Sequence, residues 1–174
     1  LERAIDISPG DEVARFETIV GAAWALYRYQ GDAVVLQRCY AQIRVAALSY
    51  RHMHPDLLRL EVAEHLYGPA SMSVLVATCT AYGALRTASR IAGLLSHVGD
   101  CELIDALAEE VRGAVRRRFL SQDGRLAVDT QSAYVAVLYH KLLEDDERVA
   151  AEARLVELLR RDSYHADVVP AMLH

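Results

Sequence analysis

Two histidines stand one residue apart, directly before a proline, in the segment Arg51-His52-Met53-His54-Pro55. Proline disfavours helical dihedral angles at the residue before it, so the segment predicts an extended backbone at His54. In an extended chain, residues two apart project from the same side. His52 and His54 therefore form a candidate pair of ligands for a divalent metal such as zinc, whose bound water becomes a nucleophile near neutral pH.

Further metal ligands are available just after the proline. Glu61 and His65 are four residues apart and share one face of the helix that we expect there. At about 1.5 Å rise per residue, Glu61 lies about 7.5 Å along the axis from Asp56, nearer to the histidine pair than His65. The competing interpretation is that the histidines are ordinary polar residues at an exposed helix end. The metal site would support hydrolysis of small esters or phosphoesters.

Repeated helical periodicity with short breaks, and no sustained alternation of period two, predicts an all-α fold. Short connections favour antiparallel helical hairpins, and we expect residues 1–174 to form a single helical domain. The third of the predicted helices is short and begins at Pro55-Asp56. Helix starts, stops and turn residues place the seven predicted helices at about 8–30, 32–50, 55–67, 70–97, 100–120, 130–143 and 144–162.

The charge balance excludes several classes of partner. Nineteen basic and 24 acidic residues give a formal net charge of -5, which disfavours nucleic acid and anionic membranes as partners. No apolar stretch reaches the 18 or so residues of a membrane span. Three cysteines, an odd number without a C-x-x-C pair, are typical of a reducing compartment, so we expect a cytoplasmic protein. As a hydrolase it would act on a small-molecule substrate.

Three stretches resemble the helical (α/α)6 catalytic domain of family 78 glycoside hydrolases, the bacterial α-L-rhamnosidases. They are Trp-Ala-Leu-Tyr-Arg-Tyr-Gln-Gly-Asp at 24–32, Asp-Gly-Arg-Leu with Asp-Thr-Gln-Ser-Ala-Tyr within 123–134, and Ala-Arg-Leu-Val-Glu-Leu-Leu-Arg-Arg-Asp at 153–162. The resemblance implies a hydrolase built on part of an α/α toroid. The family's acid-bearing and base-bearing motifs have no match here. Since glycoside hydrolysis requires two carboxyl groups, the resemblance implies rhamnosidase descent without rhamnosidase activity by this chain alone.

Three hypotheses about function therefore remain open. The first is a metal-assisted hydrolase that uses His52 and His54. The second is a non-catalytic helical fragment that acts as an interaction or oligomerisation module, and the third is part of a glycoside hydrolase completed by a partner. Half a toroid leaves apolar helix faces uncovered, so we also expect a homodimer.

Overall fold

The computed structural model describes residues 9–60, 70–121 and 124–162. These residues form six α-helices, and the only β-structure among them is an isolated bridge between Leu120 and Leu126. The all-α prediction is confirmed. In the part of the chain that the structure describes, no helix is both long enough and apolar enough to span a membrane. The helices are α1 (Pro9–Gln30), α2 (Val34–Met53), α3 (Ala70–Leu94), α4 (Val98–Phe119), α5 (Gln131–Tyr139) and α6 (Asp145–Asp162).

The break between α1 and α2 follows from two adjacent residues. Gly31 adopts a left-handed backbone with φ 73°, and its N–H donates to the carbonyl of Tyr27 at 2.7 Å, which ends α1. The Asp32 carboxylate accepts the N–H of Val34 at 2.8 Å and caps α2. The Gly-Asp pair thus closes one helix and opens the next, as its residue types predict.

The end of α3 is a Schellman motif without glycine. The N–H of Ser96 donates to the carbonyl of Gly93, and the N–H of His97 donates to the carbonyl of Ala92. Ser96 takes the left-handed position with φ 63°. The helix therefore stops at Leu94, before the predicted end at residue 97.

The third predicted helix, at 55–67, is wrong where the structure describes it. Residues 54–60 form a turn and irregular backbone, in which the N–H of Leu57 donates to the carbonyl of His54 at 2.8 Å. Leu57 has φ 61°, a left-handed conformation that no right-handed helix can include. Residues 61–67 lie outside the described part. The helix predicted at 130–143 is also too long, because the chain turns left-handed at Lys141.

The chain divides into two compact units, so the single-domain prediction for residues 1–174 stays a prediction. The first unit comprises Leu1–Met53 and Ala84–Ala108. Within it α1 packs on α2. Bonds from Arg86 to Asp105 at 2.6 Å and from Ser89 to the carbonyl of Cys101 at 3.4 Å hold α3 and α4 antiparallel. Its largest fully buried side chains are Phe16, Val20, Leu36, Ile43, Tyr50, Leu85, Ile91 and Ile104.

The second unit comprises His54–Gly83 and Glu109–His174. Here α5 and α6 pack as a hairpin, and the amide of Gln131 donates to the carbonyl of Leu158, so the start of α5 meets the end of α6. At its opposite end, arginines of α4 reach carboxylates at the start of α6. Arg116 donates to Glu144 and Glu147 at 2.9 and 2.6 Å. These bonds tie the end of α4 to the start of α6.

Candidate functional site

The four predicted metal ligands are only partly described. His52 lies exposed in the last turn of α2, while His54 follows that helix and is buried, with 9% of its surface accessible. Glu61 and His65 lie outside the described residues. Within the ranges 9–60, 70–121 and 124–162, no group of three or more His, Cys, Asp and Glu side chains could hold a metal ion. The site at His52, His54, Glu61 and His65 stays a prediction.

Two of the three stretches that resemble the rhamnosidase family, those within 123–134 and 153–162, form a connected cluster at the start of α5. The Thr130 side chain accepts the N–H of Ala133 and caps the helix. Tyr134 is completely buried, and its hydroxyl accepts the N–H of Leu126 at 3.3 Å. The Thr130 side chain thereby fixes the first turn of α5, and the Tyr134 hydroxyl fixes the backbone at Leu126. The motif positions the loop before α5.

A paired arginine and aspartate complete this cluster. Arg154 of α6 donates from Nε to Oδ1 of Asp129 at 2.9 Å and from Nη2 to Oδ2, a two-bond fork. The Arg154 guanidinium holds the pKa of Asp129 below its usual range. Burial raises the pKa of the Tyr134 hydroxyl. At neutral pH the Asp129 carboxylate is therefore ionised and the tyrosine is protonated.

A second polar cluster joins α2 to the start of α4 within the first unit. Asp100 accepts the Tyr40 hydroxyl and Arg44 Nε, both at 2.7 Å, through the same oxygen, Oδ2. The His97 ring stacks on the Tyr40 ring at a centroid distance of 4.3 Å and an angle of 5°. The hydrogen bond from Arg44 is the largest cause that lowers the pKa of Asp100. Burial is the main cause that raises the pKa of Tyr40.

These clusters can fix geometry and charge, but they do not provide a general acid. A glycosidase acid needs a carboxyl group whose pKa is raised, so that it carries a proton near neutral pH. Asp100 and Asp129 both have lowered pKa values, because each is bonded to a guanidinium. Neither residue can supply the proton for a leaving group at neutral pH. In these two clusters the aspartates therefore act as ionised partners of arginines.

Most of these pairings could not be found from sequence spacing. Asp129 and Arg154 are 25 residues apart, and Tyr40 and Asp100 are 60 apart. The sequence predicted only local features here. The stretch Asp129-Thr130-Gln131 indicates a helix cap, and Tyr134 follows it within the family-like segment. Nothing in the sequence indicated which arginine the aspartate would meet.

A family model and a similar protein of known name both relate this chain to α-L-rhamnosidases. Residues 10–168 match the family model described as the bacterial α-L-rhamnosidase 6 hairpin glycosidase domain. An α-L-rhamnosidase of Streptomyces avermitilis is 33% identical over 151 residues, which are 84% of this chain and 14% of that protein. The chain thus spans about one seventh of the length of this relative.

Solved structures agree on the fold. The crystal structure of the Streptomyces avermitilis α-L-rhamnosidase complexed with L-rhamnose matches 82% of this chain and 14% of its own, with 28% identity and a TM-score of 0.65. An α-L-rhamnosidase from Dictyoglumus thermophilum matches 85% of this chain and 18% of its own, with 23% identity and a TM-score of 0.69, which supports the fold alone. On the match over residues 10–168, the chain belongs to the bacterial α-L-rhamnosidase six-hairpin glycosidase domain family.

Proposed function

We propose that this chain forms a helical part of a glycoside hydrolase that acts on α-L-rhamnosides, with the catalytic carboxyl groups supplied by protein segments other than these 174 residues. The observation that carries the proposal is the family match over residues 10–168, supported by 33% identity to an α-L-rhamnosidase. Those segments belong either to the same polypeptide or to a partner chain.

The contribution of this chain is then to hold the frame of the active site. Hydrolysis of a glycoside proceeds through a transition state with oxocarbenium character, flanked by two carboxyl groups at a fixed separation of roughly 5–10 Å. Small displacements of such groups are costly in rate. The fork between Arg154 and Asp129 and the buried Tyr134 lock the loop before α5 against the α5/α6 hairpin, which gives such a frame rigidity.

The proposal is tested on the natural protein that carries this sequence, purified together with any partner chain, with two chromogenic substrates and a chelator. We expect release of 4-nitrophenol from 4-nitrophenyl α-L-rhamnopyranoside, with the same rate in the presence of EDTA. We expect no comparable release from 4-nitrophenyl acetate above the uncatalysed rate. Activity on the acetate alone, lost with EDTA, would contradict the proposal and support a metal-assisted esterase at His52 and His54.

A further inference from the structure

A cleft of about 400 Å³ opens between the end of α5 and the start of α6, within the second unit. Its volume falls in the range of about 300–1,000 Å³ that is usual for small-molecule sites. Three aliphatic side chains and three charged ones line it. They are Val137, Leu138, Lys141, Leu143, Asp145 and Arg148.

The charged rim carries one cation that its neighbours do not neutralise. Arg148 lies 3.6 Å from Asp145 and donates to Glu152 at 2.9 Å, so carboxylates of its own helix hold it. Lys141 has no ion pair with any other residue that the structure describes. Lys141 is therefore the one lining cation whose charge no carboxylate of the described residues pairs with, and it lies beside the partly exposed Leu138 and Leu143.

The identity of residue 141 is unusual in two ways. It is the only lysine among the 19 lysine and arginine residues of the chain. It also occupies the left-handed position of a Schellman motif, where its N–H donates to the carbonyl of Leu138 and the N–H of Leu142 donates to the carbonyl of Val137. Its φ is 56°. Glycine is the usual residue there because a side chain costs free energy in this conformation.

We propose that this cleft binds a small organic anion, an apolar ring or short chain that carries a carboxylate. The apolar part packs on Leu138 and Leu143, and the carboxylate accepts from the Lys141 ammonium group at the rim. Lysine binds an anion as a compact point charge, and the partly enclosed, apolar surroundings strengthen the attraction. Lysine at this left-handed position lowers the stability of the fold relative to glycine, and it places a positive charge at the rim of the cleft. The proposal is independent of glycoside hydrolysis.

The single lysine makes the first experiment simple. Reductive methylation of the 174-residue chain with ¹³C-formaldehyde gives one lysine dimethyl signal, and the modified ammonium keeps its charge. We expect 1-naphthoate to shift this signal saturably, with half-saturation at or below about 1 mM. 1-Naphthalenemethanol, which lacks the charge, should bind at least about tenfold more weakly. Acetate, which lacks the ring, should cause no saturable shift in the same range.

Two variants at equivalent helix ends separate binding from stability. Lys141→Gly removes the charge and relieves the left-handed backbone, so it should raise the melting temperature by about 2–4 °C. In ligand-observed NMR it should weaken naphthoate binding at least about tenfold. Ser96→Gly makes the same backbone change at the end of α3 and should also raise the melting temperature, while naphthoate binding stays unchanged.

Several results would overturn the proposal. The absence of a saturable shift with naphthoate would show that the cleft is not a binding site. An equal response to acetate would reveal an adventitious ion only. Unchanged naphthoate affinity in a folded Lys141→Gly variant would show that the lysine does not hold the carboxylate.

Discussion

Replacement of Gly83 by alanine should destabilise the protein, although alanine is the better helix former. A Cβ atom built at Gly83 of α3 would lie 2.4 Å from Nδ1 and 2.6 Å from Cε1 of His140. Carbon atoms ordinarily pack at about 3.5–4.0 Å, so the imidazole ring would have to move by about 1 Å. His140 forms the C-cap of α5, and its ring packs edge-on against Tyr139 at 4.9 Å, which restricts that movement.

The expected size follows from two opposing effects. Overpacking of a close contact costs about 1–3 kcal/mol. Replacement of glycine by alanine inside a helix returns about 0.5–1 kcal/mol. We therefore expect Gly83→Ala to lower the free energy of unfolding by about 1–2 kcal/mol, measured by urea denaturation followed by circular dichroism.

A matched control is available in α1. A Cβ atom at Gly21 would meet no other atom within 4 Å, so Gly21→Ala should be stabilising by about 0.5–1 kcal/mol. In a His140→Ala background the obstacle at Gly83 is gone, and Gly83→Ala should then stabilise as well. The reasoning would be refuted if Gly83→Ala stabilised the parent protein as much as Gly21→Ala does.

Three further predictions concern pH, metal and assembly. Burial lowers the pKa of His140 to about 4, below its unfolded value of 6.5, so the unfolded state takes up a proton first and stability should fall by about 2 kcal/mol from pH 7 to pH 4.5. The His140→Phe variant should lose this component of the pH dependence in urea denaturation. The metal hypothesis predicts about one zinc ion per chain by elemental analysis, lost in His52→Ala; metal-free parent protein would rule it out. The homodimer, proposed because half a toroid leaves apolar helix faces uncovered, predicts a light-scattering mass of about twice 19.3 kDa at micromolar concentration, and a monomer mass would reject it.

Local residue chemistry predicted the helices well where one or two residues determine the backbone. Gly31 and Asp32 end α1 and begin α2 at the predicted place, and of the two cap candidates before α5, Asp129 and Thr130, the structure has Thr130. The prediction failed where a residue adopts a conformation that its type does not favour. Leucine at 57 and lysine at 141 both adopt left-handed backbones, which sequence patterns assign to glycine or asparagine. The helix predicted from Pro55 and the predicted end of the sixth helix were wrong for this reason.

The long-range contacts of the candidate site were not predictable for a different reason. The fork between Asp129 and Arg154 depends on how α6 folds back on the loop before α5, and spacing along one chain does not encode that approach. The close contact of Gly83 with His140 likewise joins α3 to the end of α5. By contrast, the family resemblance was readable because it depends on short stretches of residue types.

The most direct test of the proposed function compares the 174-residue chain with the natural protein that carries it, on 4-nitrophenyl α-L-rhamnopyranoside. We predict that the isolated chain, folded by its helical circular dichroism, releases no 4-nitrophenol above the uncatalysed rate, whereas the natural protein hydrolyses the glycoside. The reason is that Asp129 and Asp100 are held ionised and the family's acid and base motifs have no match in these residues. Hydrolysis by the isolated chain at a rate comparable to that of the natural protein would contradict the account, since both catalytic carboxyl groups would then lie within it.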